Sequence, residues 1–287
     1  MIDIKKFILT RKKLGLSQIE LCKGICTQST LSKFENNGRI PSLKILSNLC
    51  ERMNINLSDI MHDTKNNAVE RTLNEADYAS DVFDYPKVVK LLSQISKEDL
   101  IRQEDTFHYE YLRGILSLEL EHNQTDALFC FNLILESPKL KKGSIYHLLA
   151  LSGCGQVYEF QGDTQCAKKY YDLIISEIQT DAVLDSPKNA QILSVLYHTG
   201  KFYSTFKDYQ TSNKLLNIGY QICATQHVTY YLGRILFCLA QNGKEQAMNK
   251  KQIITYLNDA AAFARLYNNR VLLQKINLFE SDNLSSQ

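Results

Sequence analysis

Residues 27–42 read TQSTLSKFENNGRIPS. Two apolar side chains, Leu31 and Phe34, stand three apart, and most of their neighbours are small and polar. Thr27 is a natural N-cap, because its hydroxyl can accept from an amide of the first turn. Asn37-Gly38, with Pro41 beyond, breaks the run. The stretch predicts a helix from Gln28 to about Asn36. At ~100° per residue Leu31 and Phe34 share one side, so Ser29, Ser32, Lys33 and Asn36 face outward, with Gln28 at the exposed N-terminal edge. Hydroxyls, amides and one cation on the outer face are groups that can reach base edges and phosphates in a major groove.

The flanks extend this unit. Asp3 to Leu14 predicts a first helix with Ile4, Phe7 and Ile8 on one face. Gly15 ends it, and Ser17 with Glu20 three residues later forms a capping box for a second helix that closes by Gly24. Pro41-Ser42 starts a fourth helix, whose Leu46, Leu49, Cys50 and Met53 make an apolar stripe. Leu57–Met61 adds a fifth turn.

The stretches LSQIEL (16–21) and CTQSTLSKFENNGRIPSLKILSNL (26–49) resemble the Xre, or phage-repressor, type of helix-turn-helix domain. The resemblance rests on Ser17-Gln18, Gln28-Ser29, Leu31-Ser32, Glu35, Gly38 and Pro41-Ser42, and it covers residues 1–63. It implies that the third helix lies in the major groove of double-stranded DNA. Gln18 would hold backbone phosphate. Gln28, Ser29, Ser32 and Lys33 would read or flank bases, with Thr27 close by, and Asn37 and Arg39 would contact phosphate. Arg11 and Glu35 match a structural salt bridge between helices one and three, which assigns Glu35 to the scaffold. A degenerate domain kept only for dimerisation is the alternative reading of the same residues.

The whole chain has 287 residues, 44% of them hydrophobic, with only 12 Gly and 4 Pro. Apolar residues recur three and four apart almost throughout, so an all-α protein is expected. No stretch approaches the ~18 uncharged apolar residues of a membrane span. The four-residue apolar run in MIDIKKFILTRKK is too short for a signal-peptide core, and a cytoplasmic protein is expected. None of the eight Cys forms a C-x-x-C pair. Cys22, Cys50, Cys154, Cys223 and Cys238 fall among apolar helix neighbours and read as small core residues. Residues 1–63 carry ten Lys/Arg against six Asp/Glu, residues 64–137 seven against fourteen, and residues 138–287 sixteen against eleven. A basic head followed by an acidic segment suits a DNA-binding domain joined to something that does not touch DNA.

Residues 64–71 read as a linker, and 72–287 as a second domain with an internal repeat. DYPKVVKLL, NQTDALFCF, GDTQCAKKYY and KDYQTSNKLL share a polar turn followed by Val88/Leu92, Ala127/Phe131, Ala167/Tyr171 and Ser212/Leu216. Upstream of these segments, and again further along the chain, helices carry a small residue at their centres: Gly114, Gly155, Gly200 and Gly233. This order resembles tetratricopeptide repeats, helix hairpins that stack into an α-solenoid. About five hairpins fit, with a final helix near Arg270–Phe279. The resemblance implies a groove lined by residues one after and three before each Gly: Tyr111, Ser152, Gln156, Tyr197, Lys201, Tyr230 and Arg234, with Glu159 and His108 near. Such a wall suits an extended peptide, with Gln on its backbone, Tyr over its side chains and Lys or Arg on a carboxylate.

No His pairing, phosphate-binding loop or nucleophile elbow occurs, so no catalytic residue, metal or cofactor is expected. The two halves together resemble the peptide-responsive regulators named for Rap, Rgg, NprR, PlcR and PrgX, the PlcR-like branch in particular. The resemblance implies a homodimer that reads an inverted-repeat operator and holds a short signalling peptide in the repeat groove. A repeat domain that binds a partner protein, or only dimerises, is left open by the residues alone.

Overall fold

The computed structural model describes residues 4–60, 64–178 and 188–284, and all regular structure among them is helical. The chain divides into two compact units, Met1–Arg71 and Thr72–Gln287. No helix among the described residues is long and apolar enough to cross a membrane.

In the first unit α1 is Ile4–Lys13, α2 Gln18–Cys22, α3 Gln28–Asn37, α4 Leu43–Arg52 and α5 Leu57–Ile60. Met61, expected to end the last turn, lies outside the described residues. Local chemistry sets each boundary. Ser17 accepts from Glu20 N–H at 3.2 Å, and Ser17 N–H donates to the Glu20 carboxylate at 2.7 Å, closing the capping box. Thr27 accepts from Thr30 N–H at 3.2 Å. Gly38 ends α3 with φ of 70°, a left-handed conformation that costs a glycine nothing. Asn37 is therefore the last residue of α3 rather than part of the loop after it. Phe7, Leu21, Leu31, Phe34, Leu46 and Leu49 are fully or almost fully buried in one cluster. The edge of Phe7 meets the ring of Phe34 at 5.1 Å between centroids.

Residues 64–71, expected to link the domains, form the opening turns of α6, Thr64–Asp81. The helices that follow are α7 (Tyr85–Leu92), α8 (Gln103–Glu119), α9 (Gln124–Leu135), α10 (Ile145–Phe160), α11 (Thr164–Glu177), α12 (Asn189–Thr205), α13 (Tyr209–Gln226), α14 (Leu232–Glu245), α15 (Lys250–Leu266) and α16 (Arg270–Leu284). The turns repeat one device. Phe83, His122, Gly162 and Lys207 each adopt positive φ. The next residue, Asp84, Asn123, Asp163 or Asp208, caps the following helix by accepting an amide at 3.0–3.3 Å. Helices α8 and α9, α10 and α11, α12 and α13, and α14 and α15 close as hairpins, and α8, α10, α12 and α14 adjoin one another in series. The unit is a tetratricopeptide-like α-solenoid.

Glycines on the inner helices receive side chains from the helices packed against them. A Cβ at Gly114 or Gly153 would lie 2.5 Å from the Phe131 ring, and one at Gly155 would lie 2.7 Å from Tyr171. Only hydrogen fits at these positions, and the close approach lets Phe131 and Tyr171 bury completely.

Candidate functional site

Two surfaces carry the chemistry, one in each unit. On the first, Leu31 and Phe34 turn α3 so that Thr27, Gln28, Ser29, Lys33, Asn37 and Arg39 are exposed, while Gln18 and Ser32 are half-buried. Ser32 accepts from Asn36 Nδ2 at 3.1 Å. Behind this face lies a relay of charge-assisted hydrogen bonds. Arg11 donates through Nε and Nη2 to the two Glu35 oxygens at 2.7 and 2.8 Å, and through Nη1 to the Leu16 carbonyl at 2.8 Å. Gln18 Nε2 donates to Glu35 Oε2 at 2.7 Å, and Gln28 Nε2 donates to Gln18 Oε1 at 2.8 Å. A buried bidentate ion pair thus orients an amide at the start of α2, which orients an amide at the start of α3. Gln28 keeps its carbonyl oxygen and one amide hydrogen for an outside partner, the donor–acceptor pair that matches an adenine edge. The expectation that Glu35 belongs to the scaffold agrees with this geometry, and Gln18 gains a role that sequence spacing does not reveal.

The second surface runs along α8, α10, α12 and α14. Adjoining cavities open there, two of them about 280 and 290 Å³ in volume. Tyr111, Gln156, Glu159, Tyr197, Lys201 and Arg234 line these cavities, and Tyr230 lines a separate one bordered by α6, α14, α15 and α16. Arg234 walls three of them. Its guanidinium lies over Phe83 at 4.4 Å, Tyr231 at 4.8 Å and Tyr197 at 5.8 Å, and it donates to the Asp81 carbonyl. Gln156 Nε2 reaches the Ser152 carbonyl and hydroxyl, both at 3.3 Å. Glu159 accepts from the Tyr171 hydroxyl, and burial raises its pKa above the ordinary carboxylate value.

Two residues expected near the groove serve the scaffold instead. Ser152 is buried beneath Gln156, and His108, only 3% exposed, bonds Asp77 through Nε2 at 2.8 Å. Asp77 also accepts from Gln191 Nε2 at 2.6 Å. The spacing rule around the glycines misses the contribution of α6 and α7: Asp77, Asp81, Phe83 and Tyr85 line the groove with His198 and Tyr231. The acidic, aromatic segment ASDVFDY (79–85) is the signal that could have marked them.

Asp81 is held in an unusual state. Burial pushes its pKa up to about 7 and Asp77 adds to this, against the opposing pull of Arg234 and the Tyr231 hydroxyl. The folded chain therefore retains a proton that an unfolded Asp, with pKa ~3.9, releases. The resulting stability is fully present below pH ~4 and is lost as pH rises through about 7. Thermal unfolding of the full chain should show a melting temperature that declines between pH 5 and 8. Asp81→Asn should flatten that decline, and an unchanged slope in the variant would show the proton to be elsewhere. His198 moves the other way, held well below its ordinary value by burial and the charges of Lys201 and Arg234, so it stays neutral.

Comparison with known proteins follows the same division. Residues 9–60 match the helix-turn-helix family HTH_3. No curated protein matches the chain by sequence. Bacillus thuringiensis PlcR, solved in complex with the peptide PapR7 and DNA, superposes with a TM-score of 0.64 at 13% identity, covering 100% of both chains. ComR from S. thermophilus, in complex with DNA and its signalling peptide ComS, gives 0.60 at 17% identity over 96% of this chain and 97% of that one. The apo form of the competence regulator ComR from Streptococcus vestibularis gives 0.54 at 19% identity over 96% of both. At such identities the likeness is one of fold.

Proposed function

We propose that this chain is a peptide-responsive transcriptional regulator of the cytoplasm. As a homodimer it reads an inverted-repeat operator with α3 and holds a short signalling peptide in the repeat groove. The observation that carries the reading is the relay from Arg11 through Glu35 and Gln18 to Gln28, which devotes a buried ion pair to aiming one exposed amide. An ordinary solvated helix face has no use for such support. Gln28, Ser29, Ser32 and Lys33 read or flank bases, and Gln18, Thr27, Asn37 and Arg39 hold the backbone. The groove residues Tyr111, Gln156, Glu159, Tyr197, Lys201 and Arg234, with Tyr230 in its separate cavity, supply the amides, phenols and cations an extended peptide needs. Solved proteins of the same fold at TM-scores of 0.60 and above were captured with both DNA and a peptide, which supports the pairing of the two activities.

The test uses duplexes selected from a randomised pool by the purified protein. Gln28→Ala should lower discrimination between the selected duplex and scrambled DNA by ~1–3 kcal/mol. Gln18→Ala should weaken binding to both duplexes and also erode discrimination, because Gln18 holds the Gln28 amide in place. Equal affinity of the unmodified protein for selected and scrambled duplex would overturn the reading.

A further inference from the structure

Two of the groove's cavities, of about 60 and 290 Å³, share three lining residues: Glu119 of α8, Gln156 of α10 and His198 of α12. Three successive inner helices each supply one of them, so they mark the place where one cavity passes into the next. A ligand that fills both cavities must cross there. The spacing that picks out Gln156 passes over His198, which stands two residues before Gly200 rather than one after it or three before.

His198 is unlike its neighbours of the same type. His108 bonds Asp77 at 2.8 Å, and His147 bonds Glu177 at 2.7 Å. His198 has no hydrogen-bond partner among the described residues, and its ring stands T-shaped against Tyr197 and Tyr231 at 5.0 and 6.1 Å between centroids. Its nitrogens are not sealed into apolar packing either, since the fully buried side-chain atoms without a partner are Asn189 Oδ1 and Thr199 Oγ1. Both therefore open onto the cavities that the ring lines.

Burial, then the charges of Lys201 and Arg234, keep the imidazole neutral, so it offers one donor and one acceptor. Gln156 complements it from the next helix. Its Nε2 is engaged by the Ser152 carbonyl and hydroxyl, both at 3.3 Å, which leaves Oε1 as an acceptor. Glu119, exposed at the end of α8, adds acceptors only. A donor on one wall and an acceptor on the other suit an amide, which carries an N–H and a C=O of its own.

We infer that His198 contacts the ligand, and that with Gln156 it clamps one uncharged amide of the bound peptide at the junction of the two cavities. The imidazole N–H donates to the amide carbonyl, and Gln156 Oε1 accepts from the amide N–H. The inference rests on the peptide reading of the groove. The amide comes either from the peptide backbone or from an Asn or Gln side chain.

The experiment passes a degenerate heptapeptide pool over the full-length protein and reads retained sequences by mass spectrometry. A retained peptide is resynthesised with each backbone N–H replaced in turn by an ester oxygen, and with any Asn or Gln replaced by Ala. Each version is titrated against the unmodified protein, His198→Phe and His198→Gln. The first variant keeps a ring and loses both polar atoms, whereas the second keeps a donor and an acceptor. His198→Phe should weaken binding about tenfold, and His198→Gln should stay within about threefold of the unmodified protein. One ester should weaken binding to the unmodified protein yet add little to the loss in His198→Phe, which locates a backbone amide. Such coupling at an Asn or Gln side chain locates a carboxamide instead. Nitrogen NMR of the histidine-labelled, unmodified protein reads the contact without any variant, as a shift of one His198 ring nitrogen when the retained peptide is added. Full affinity of His198→Phe, equal losses in both variants, coupling to a Lys or Arg side chain or to no position, or an unmoved imidazole would overturn the clamp and leave the peptide groove standing. Retention of no peptide would overturn the peptide reading and the clamp with it, even where duplex binding persists.

Discussion

Glu35→Ala should destabilise the helix-turn-helix unit by ~3–5 kcal/mol and abolish the DNA binding proposed for it. The carboxylate accepts both arms of Arg11 at 2.7 and 2.8 Å and the Gln18 amide at 2.7 Å, and both Arg11 and Glu35 are 8% exposed. Its removal strands a buried guanidinium, the expensive half of breaking a buried ion pair. A unit of this size has little stability in reserve. Hydrogen exchange on α1 and α3 of the full-length protein reads the loss where it occurs, apart from the repeats. A change below ~1 kcal/mol would show the pair to be peripheral. Replacing both partners, as Arg11→Met with Glu35→Met, should restore much of the stability, since apolar substitutes of similar size avoid the desolvation cost. That double variant still lacks the support for Gln18 and Gln28. It should therefore be folded yet poor at discriminating duplexes, which separates the scaffold from the aiming of the amide.

Phe131→Ala should cost the repeat unit ~3–5 kcal/mol, at the upper end of large-to-small core changes. The ring is fully buried and wedged between two glycines on α8 and α10, each leaving room only for hydrogen. The neighbouring backbones belong to different helices and cannot readily collapse into the space the ring leaves. Gly153→Ala attacks the same contact from the other side, placing a methyl 2.5–2.7 Å from three ring carbons. It should cost ~1–3 kcal/mol, because Gly114 blocks the ring's retreat. The pair is coupled: Gly153→Ala with Phe131→Leu should lose less than the two single changes together, by about 0.5 kcal/mol or more on the usual scale of contacting residues. Denaturant unfolding of the four proteins measures this. Strict additivity would mean that the ring has somewhere else to go. Tyr111 lies 6.0 Å from the Phe131 ring and lines the groove, so a shifted Phe131 also reaches the ligand wall.

Much of this molecule is legible in its amino-acid sequence. Ser17, Glu20 and Thr27 announce their caps, and Gly38 its left-handed turn, because each acts within four residues of itself. Leu31 and Phe34 set which way α3 faces by periodicity alone. The repeated turns work the same way: Asp84, Asn123, Asp163 and Asp208 sit at one place in each hairpin, and glycines recur where helices must touch. Tyr111, Gln156, Glu159, Tyr197, Lys201 and Arg234 border the cavities along the inner helices, since position on such a helix decides which way a side chain faces, whereas Tyr230 lies in the turn before α14 and borders a separate cavity.

Other features carry no such signal. The hydrogen bond from Gln28 to Gln18 spans ten residues and depends on the angle between two helices. His108 is expected near the groove, yet Asp77 on another helix holds it in the interior. Asp81 and Phe83 obey no repeat, because they come from the first part of the unit, where the periodic pattern has no neighbour to continue it. The helices, their ends and the faces they turn follow from contacts a few residues long, and the order of residues is enough to specify them. Which charges share a cavity, and which acids the tyrosines engage, is settled only in three dimensions, because both depend on where separate helices meet.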